Sequence, residues 1–331
     1  MIMMTPTTVL RFFLVGMLLF HANNNNGVVE AEIVTTEKSL KIKEGKGRFN
    51  YYYDDTTMTC KTIFFLGAGT AMRADSYQNI STEIVNAVKG EGEDTDNAGI
   101  IVIVVDDHPG FITKQNPKKY AAIVNEIAQN LSTYIPVCRG AGSGGSSLEE
   151  IDILIGGHSA SGEGSIKALL QDRFVAFKPV GYVGLSPFML LPFMVPKGTI
   201  NIPSLMWGFS RTSCMVVKDW AALRGYKISN PTQRVFYQYQ TDNLNSLSGG
   251  PHCSYTDHGC PAWNNFKWLK ACHGTQEQSD TIPSAVAASI NVFLKQIKGN
   301  NNNNGSFLSE PFEAIKIEGA KLYVNEQTVP K

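Results

Sequence analysis

Residues 151–162 constrain this chain more than any other stretch. The run Ile151-Asp152-Ile153-Leu154-Ile155 has the β-branched, apolar character of a buried strand. It passes through Gly156-Gly157 into His158-Ser159-Ala160-Ser161-Gly162, where a helix is expected to begin at once. So abrupt a strand-to-helix turn forces its central residue into strained backbone with the hydroxyl exposed, and it needs small residues two before and two after. Gly157 and Ser161 supply them. Ser159 is therefore the candidate nucleophile, and the Ala160 amide, at a helix N-terminus, is a candidate donor to a developing oxyanion. Taken out of this setting, the five residues would be an ordinary Ser/Gly-rich turn. The strand before them and the helix after them make the difference.

The rest of the chain alternates in the same manner. Residues 61–66, 99–105, 180–184, 202–208 and 234–239 read as short buried strands. Tyr120, Ile123, Val124, Ile127, Leu131 and Tyr134 recur at three and four residues, the stripe of an amphipathic helix. A last helix is predicted with Ser279 or Asp280 as its cap and Ile282, Val286, Ile290, Phe293 and Ile297 on its face. Alternating strands and helices imply a mostly parallel sheet with helices on both faces, and residues 33–53 are read as added antiparallel edge strands. With 331 residues, 43% of them hydrophobic, the chain can bury one large core. Lys plus Arg equals Asp plus Glu at 29 each, so no net field draws it to nucleic acid.

A second segment joins Ser159. Gly249-Gly250-Pro251-His252-Cys253-Ser254-Tyr255 follows the strand at 234–239. Together with the serine turn, it resembles the α/β-hydrolase superfamily, in particular its lipase, chlorophyllase and dienelactone-hydrolase-like branches. The resemblance in element order covers about 60–298. It implies an α/β-hydrolase fold, a triad in the chain order Ser…acid…His, and no cofactor. It makes His252 the general base, with His258 a rival six residues on. It also places the second oxyanion amide in the loop Gly67-Ala68-Gly69-Thr70, at Gly67 or Ala68. That loop has a dinucleotide-binding reading too, but Met72 stands where the third glycine would be.

The acid is where the resemblance fails. After the strand at 202–208, where related enzymes carry an Asp, the chain reads Phe209-Ser210-Arg211-Thr212-Ser213-Cys214. Asp219 and Asp242 both satisfy the chain order, and Asp219 keeps to the expected loop. Ser213 would occupy the acid position without its charge. Relatives with paired cysteines at these two loops imply a Cys214–Cys253 bridge. The favoured function is hydrolysis of a lipid-like or other apolar carboxylic ester through an acyl-enzyme. The alternatives are a weak or inactive hydrolase-like binding protein, and a peptidase or transacylase on the same scaffold. The apolar run 188–195 is either a lid over the site or buried core.

Arg11 followed by the short apolar run 12–20 reads as a secretory signal, with cleavage after Ala22 or Ala31. The hydrolase domain is then expected over 32–299, with 300–331 an Asn-rich linker and tail. No other stretch is long and apolar enough to suggest a membrane span. Six cysteines, an even number, fit an oxidising extracellular or lumenal compartment; beyond Cys214 and Cys253 the remaining four would form two bridges, Cys260–Cys272 being the pair closest in sequence. His252, Cys253, His258, Cys260, Cys272 and His273 also have the composition of a zinc cluster, against which disulfides are favoured. Asp106-Asp107-His108-Pro109 is read as a polar turn on the pocket rim rather than a metal site. Asn79, Asn130 and Asn304 open glycosylation triplets.

Overall fold

The serine turn at 157–161 sits at the C-terminal edge of a sheet whose nine strands among the described residues are ordered β1-β2-β4-β3-β5-β6-β7-β8-β9. The structure is a computed structural model and describes residues 33–55, 60–69, 72–88, 99–106, 116–138, 148–187, 197–209, 220–239, 251–257, 276–300, 305–315 and 317–325. Six strands are parallel: β3 (Thr62–Gly67), β4 (Ile100–Asp106), β5 (Asp152–His158), β6 (Gly181–Leu185), β7 (Ser204–Phe209) and β8 (Arg234–Tyr239). Nearly every residue in them is buried, because helices cover both faces and no strand side is left for water. The expected edge strands are β1 (Ile33–Ile42) and β2 (Gly45–Asp54), which pair antiparallel with each other, while β2 pairs antiparallel with β4.

Two apolar clusters hold the layers together. One face packs against α1 (Gln78–Ala87) and α6 (Gln276–Asn300), through Ile80, Ile84 and Val85 and through Ile282, Val286, Ile290, Phe293 and Ile297. The other packs against α2 (Pro117–Gln129), its continuation α3 (Leu131–Tyr134), α4 (Ala160–Leu170) and α5 (Trp220–Ile228). The predicted stripe from Tyr120 to Leu131 is buried as expected, with Tyr134 partly exposed. The N-terminus of α2 is made locally: Asn116 accepts from the Lys118 amide at 3.0 Å and Pro117 takes the first turn, where no amide is missed.

Two expectations need correction. The last helix starts at Gln276, not after Ser279 or Asp280, and carries Pro283 inside it. The Ser279 hydroxyl instead reaches Ser254 at 3.4 Å. The described residues 305–315 and 317–325 are part of the fold, so the segment after the Asn run is not merely a tail. Beyond the Asn run lie α7 (Glu310–Glu313) and β9 (Ala320–Val324), and β9 pairs antiparallel with β8. The reason is the otherwise open edge of β8: Tyr323 stacks on Phe236 at 6.0 Å, and Phe307 meets Phe293 edge-on at 5.6 Å. A five-residue strand behind a low-complexity run has too little pattern to stand out.

The strand order positions the site. From β3 the chain crosses to β4 on one side and then returns to β5 on the other, so the direction of winding reverses between β3 and β5. Open α/β sheets bind ligands at such a switch point, outside the C-terminal ends of the strands. Register places Gly67 directly opposite Gly157, which brings the loop after β3 alongside the serine turn.

Candidate active site

Ser159 lies between β5 and α4 with φ 55° and ψ −125°. A serine gains nothing intrinsic from that conformation, so the surroundings impose it. A Cβ on Gly157 would come within 2.6 Å of the Ser161 backbone, which is why the turn accepts only glycine there. The Ser159 amide donates to the Leu185 carbonyl on β6 at 3.1 Å, and its carbonyl accepts from the Gly162 amide at 3.0 Å, opening the helix. Ser161, where the related pattern has glycine, is fully buried and donates its hydroxyl to the Ala68 carbonyl. That residue thus fastens the serine turn to the loop after β3.

Of the expected oxyanion amides, Ala160 sits at the first position of α4, where an amide has no partner within the helix. The Ala68 amide is differently placed, which corrects the expectation for it: it donates to the Val105 carbonyl at 2.9 Å, because the β3–β4 ladder continues one residue past the strand. Gly67 is the last residue of β3, in register with Val105 on one side and Gly157 on the other. The Gly69 amide donates to the Tyr77 hydroxyl at 2.7 Å. Thr70 lies outside the described residues.

His252 comes from a short turn, Pro251–Cys253, after β8. Its Nε2 is 3.1 Å from Ser159 Oγ, and its Nδ1 is 2.7 Å from Ser186 Oγ at the end of β6. All three side chains are buried. Burial, and next the neighbouring His158, hold the His252 pKa well below 6.5, so the ring is a neutral base at neutral pH. The loop is clamped from below. Asp257 accepts from the Gln78 and Asn79 amides at 3.0 and 2.8 Å, at the positive N-terminal end of α1, and its own amide donates to the Ser76 carbonyl at 2.9 Å.

His158, the residue before the serine, ties these loops to one another. Its Nε2 lies 2.8 Å from the His252 backbone carbonyl, and its Nδ1 lies 2.7 Å from the Tyr77 hydroxyl. A carbonyl only accepts, so Nε2 carries the proton. Complete burial lowers the His158 pKa to about 4, so Nδ1 is bare and accepts from Tyr77. The chain of donors is then settled: Gly69 N–H to Tyr77 Oη, Tyr77 O–H to His158 Nδ1, His158 Nε2–H to the His252 carbonyl. Neither Tyr77 nor His158 stands out in the sequence as part of the site. The only signal was a histidine within the serine turn, and its partners lie 81 and 94 residues away.

Asp219, Asp242, Ser213, His258, Cys214, Cys260 and Cys272 lie outside the described residues, as do Asn304 and the run 188–195. Cys253 is disulfide-bonded, which removes its sulfur from any zinc set, and Cys60 pairs with Cys138. Among the described residues no group of His, Cys, Asp and Glu is arranged to hold a metal ion. Asp106 bonds Arg48 at 2.8 Å. Asn79 is exposed on the first turn of α1, whereas the Asn130 amide is bonded to Glu126. Among the described residues no helix is long and apolar enough to cross a membrane.

No protein-family model matches the chain, and no curated protein matches it either. Solved structures do. A predicted CIB-like hydrolase from Thermoplasma acidophilum is 13% identical, with a TM-score of 0.41 over 77% of this chain and 99% of the other. A dienelactone hydrolase from Anabaena variabilis is 12% identical, with a TM-score of 0.34 over 54% and 74%. At such values the strand order and the two loops carry the assignment. A mostly parallel sheet with an antiparallel second strand, a strained serine on the turn after β5 and a histidine delivered after β8 make this an α/β-hydrolase fold.

Proposed function

We propose that the protein is a serine hydrolase that cleaves a carboxylic ester through an acyl-enzyme. The observation that carries this reading is the 3.1 Å contact between His252 Nε2 and the hydroxyl of a serine held at positive φ. Ser159 Oγ attacks the carbonyl carbon while its proton passes to His252 Nε2. The Ala160 amide donates to the oxyanion. As the tetrahedral intermediate collapses, the ester C–O bond breaks and the leaving alcohol takes the proton from Nε2. Water repeats the sequence on the acyl-serine, releasing the acid and restoring Ser159. A neutral, desolvated histidine suits the first step, since an imidazolium could not accept the proton. As a lid over the site, the apolar run 188–195 would favour an apolar ester. The Cys60–Cys138 bridge supports a secretory-pathway location.

The test is active-site labelling. A fluorophosphonate is expected to modify Ser159, and Ser159→Ala to abolish both labelling and turnover of short and long nitrophenyl esters. Labelling that persists in Ser159→Ala would overturn the assignment. Wild-type protein that neither labels nor turns over would be a binding scaffold instead.

A further inference from the structure

Four non-glycine residues have positive φ among those described: Ser159, Asp172, Ser186 and Asn325. Asp and Asn enter that region readily, because their short polar side chains bond locally; serine has much less reason to. The two serines occupy equivalent places. Each follows the last residue of a strand, β5 or β6, and each donates its amide to the next strand over, Ser159 to Leu185 at 3.1 Å and Ser186 to Trp207 at 2.8 Å. Each turns its hydroxyl onto the same imidazole. Ser159 meets Nε2, and Ser186, at φ 40°, meets Nδ1 at 2.7 Å. Backbone strain at two adjacent strand ends, converging on one ring, is the kind of cost retained where it serves a site.

We infer that Ser186 is a positioning residue of the site, whose hydroxyl accepts the Nδ1 proton of His252 and so leaves Nε2 bare to receive the proton of Ser159. The inference rests on the hydrolase reading and adds to it a third member that chain order did not suggest. A carboxylate at this place can only accept, which forces the productive tautomer and stabilises the imidazolium. A hydroxyl can also donate. If Ser186 donated to Nδ1, Nε2 would carry the proton and His252 could not act as base. In this contact the productive tautomer is the one in which Ser186 accepts, and Ser186 itself supplies no charge.

Single-residue variants and one spectrum test this. In wild-type protein, long-range proton–nitrogen spectra are expected to show His252 protonated at Nδ1 and bare at Nε2 at neutral pH. Ser186→Ala keeps the Cβ and the strained backbone but loses the acceptor. It should mix the tautomers and lower kcat by up to about tenfold, the effect of one neutral hydrogen bond, with KM nearly unchanged. Ser186→Asp should raise kcat above wild type; if that buried carboxylate prevents folding, the alanine variant still decides. A bare Nδ1 in wild type would overturn the inference, as would unchanged kcat in Ser186→Ala while Asp219→Asn or Asp242→Asn abolishes turnover. Failure of the hydrolase reading looks different. Ser159→Ala would then keep its label, while the tautomers of wild type and Ser186→Ala would still report whether Ser186 holds the ring.

Discussion

Tyr77 shows how much a single hydroxyl does in this site. It accepts the Gly69 amide and donates to His158, whose far nitrogen holds the backbone carbonyl of His252. Tyr77→Phe leaves a buried amide and a buried ring nitrogen without partners, each at about 1–3 kcal/mol. Urea unfolding should register that loss, and ester turnover should fall as well, since the loop after β3 and the histidine loop share the brace. Gly69 belongs to the same contact. A Cβ there would meet His158 Nδ1 at 2.9 Å and Ser159 Cβ at 3.1 Å. Gly69→Ala is accordingly expected to lower kcat with less effect on the unfolding midpoint than Tyr77→Phe. The buried base makes a further prediction. Because His252 is held well below 6.5, it stays unprotonated into mild acid, and the acidic limb of kcat/KM should have its midpoint below 6.5. A midpoint at or above 6.5 would contradict a desolvated general base.

Among the elements, β9 is the one whose value is least visible from its length. It covers the edge of β8, and Tyr323, nearly buried, stacks on Phe236. Behind it Tyr237 donates to the Phe312 carbonyl at 2.9 Å, and the Asn325 side chain donates to the Phe307 carbonyl at 2.8 Å. Tyr323→Ala should cost about 3–5 kcal/mol, the usual loss for emptying a buried aromatic site, measured as a shift in urea midpoint. A chain ending before β9 should self-associate through the bared edge. The Cys60–Cys138 bridge secures the opposite half of the sheet. It spans 78 residues, from the start of β3 to the turn after α3, and a span of that length removes about 4 kcal/mol of chain entropy from the unfolded state. Replacing both cysteines by alanine should lower stability by up to about that amount.

For the molecule as a whole, falling pH is expected to cost stability, because two histidines are buried without charge. His158 is neutral in the fold, with its pKa lowered from 6.5 to about 4, whereas in the unfolded chain it titrates near 6.5. Between these values the unfolded state binds more protons than the native one, so stability rises with pH through the window. The contribution is fully present above 6.5 and is lost as pH falls towards 4. The difference corresponds to about 3 kcal/mol for this group alone. His252 is shifted in the same direction and adds to the loss. Urea midpoints measured from pH 7 down to 4 should decline, and His158→Gln should flatten part of that decline. A midpoint independent of pH across this range would rule out two buried neutral histidines.

What the sequence determined by itself was whatever near neighbours along the chain decide. Buried strands announce themselves by β-branched runs, α2 by a stripe at three and four residues, and the serine turn by Gly157, Ser159 and Ser161 spaced two apart. Each is a local steric or periodic requirement that a few consecutive residues meet or fail to meet. Chain order further suggested that His252 would come to Ser159, and the two lie 93 residues apart in sequence and 3.1 Å apart in space. Sequence could not have indicated Ser186, which reaches His252 across 66 residues, or Tyr77, which reaches His158 across 81. Nor could it have shown that Ala68's amide is taken by Val105, or that β9 closes the sheet beyond the Asn run. Those contacts depend on which strands lie side by side and in what register. Strand order follows from the packing of whole elements on both faces of the sheet, and no spacing along the chain encodes it.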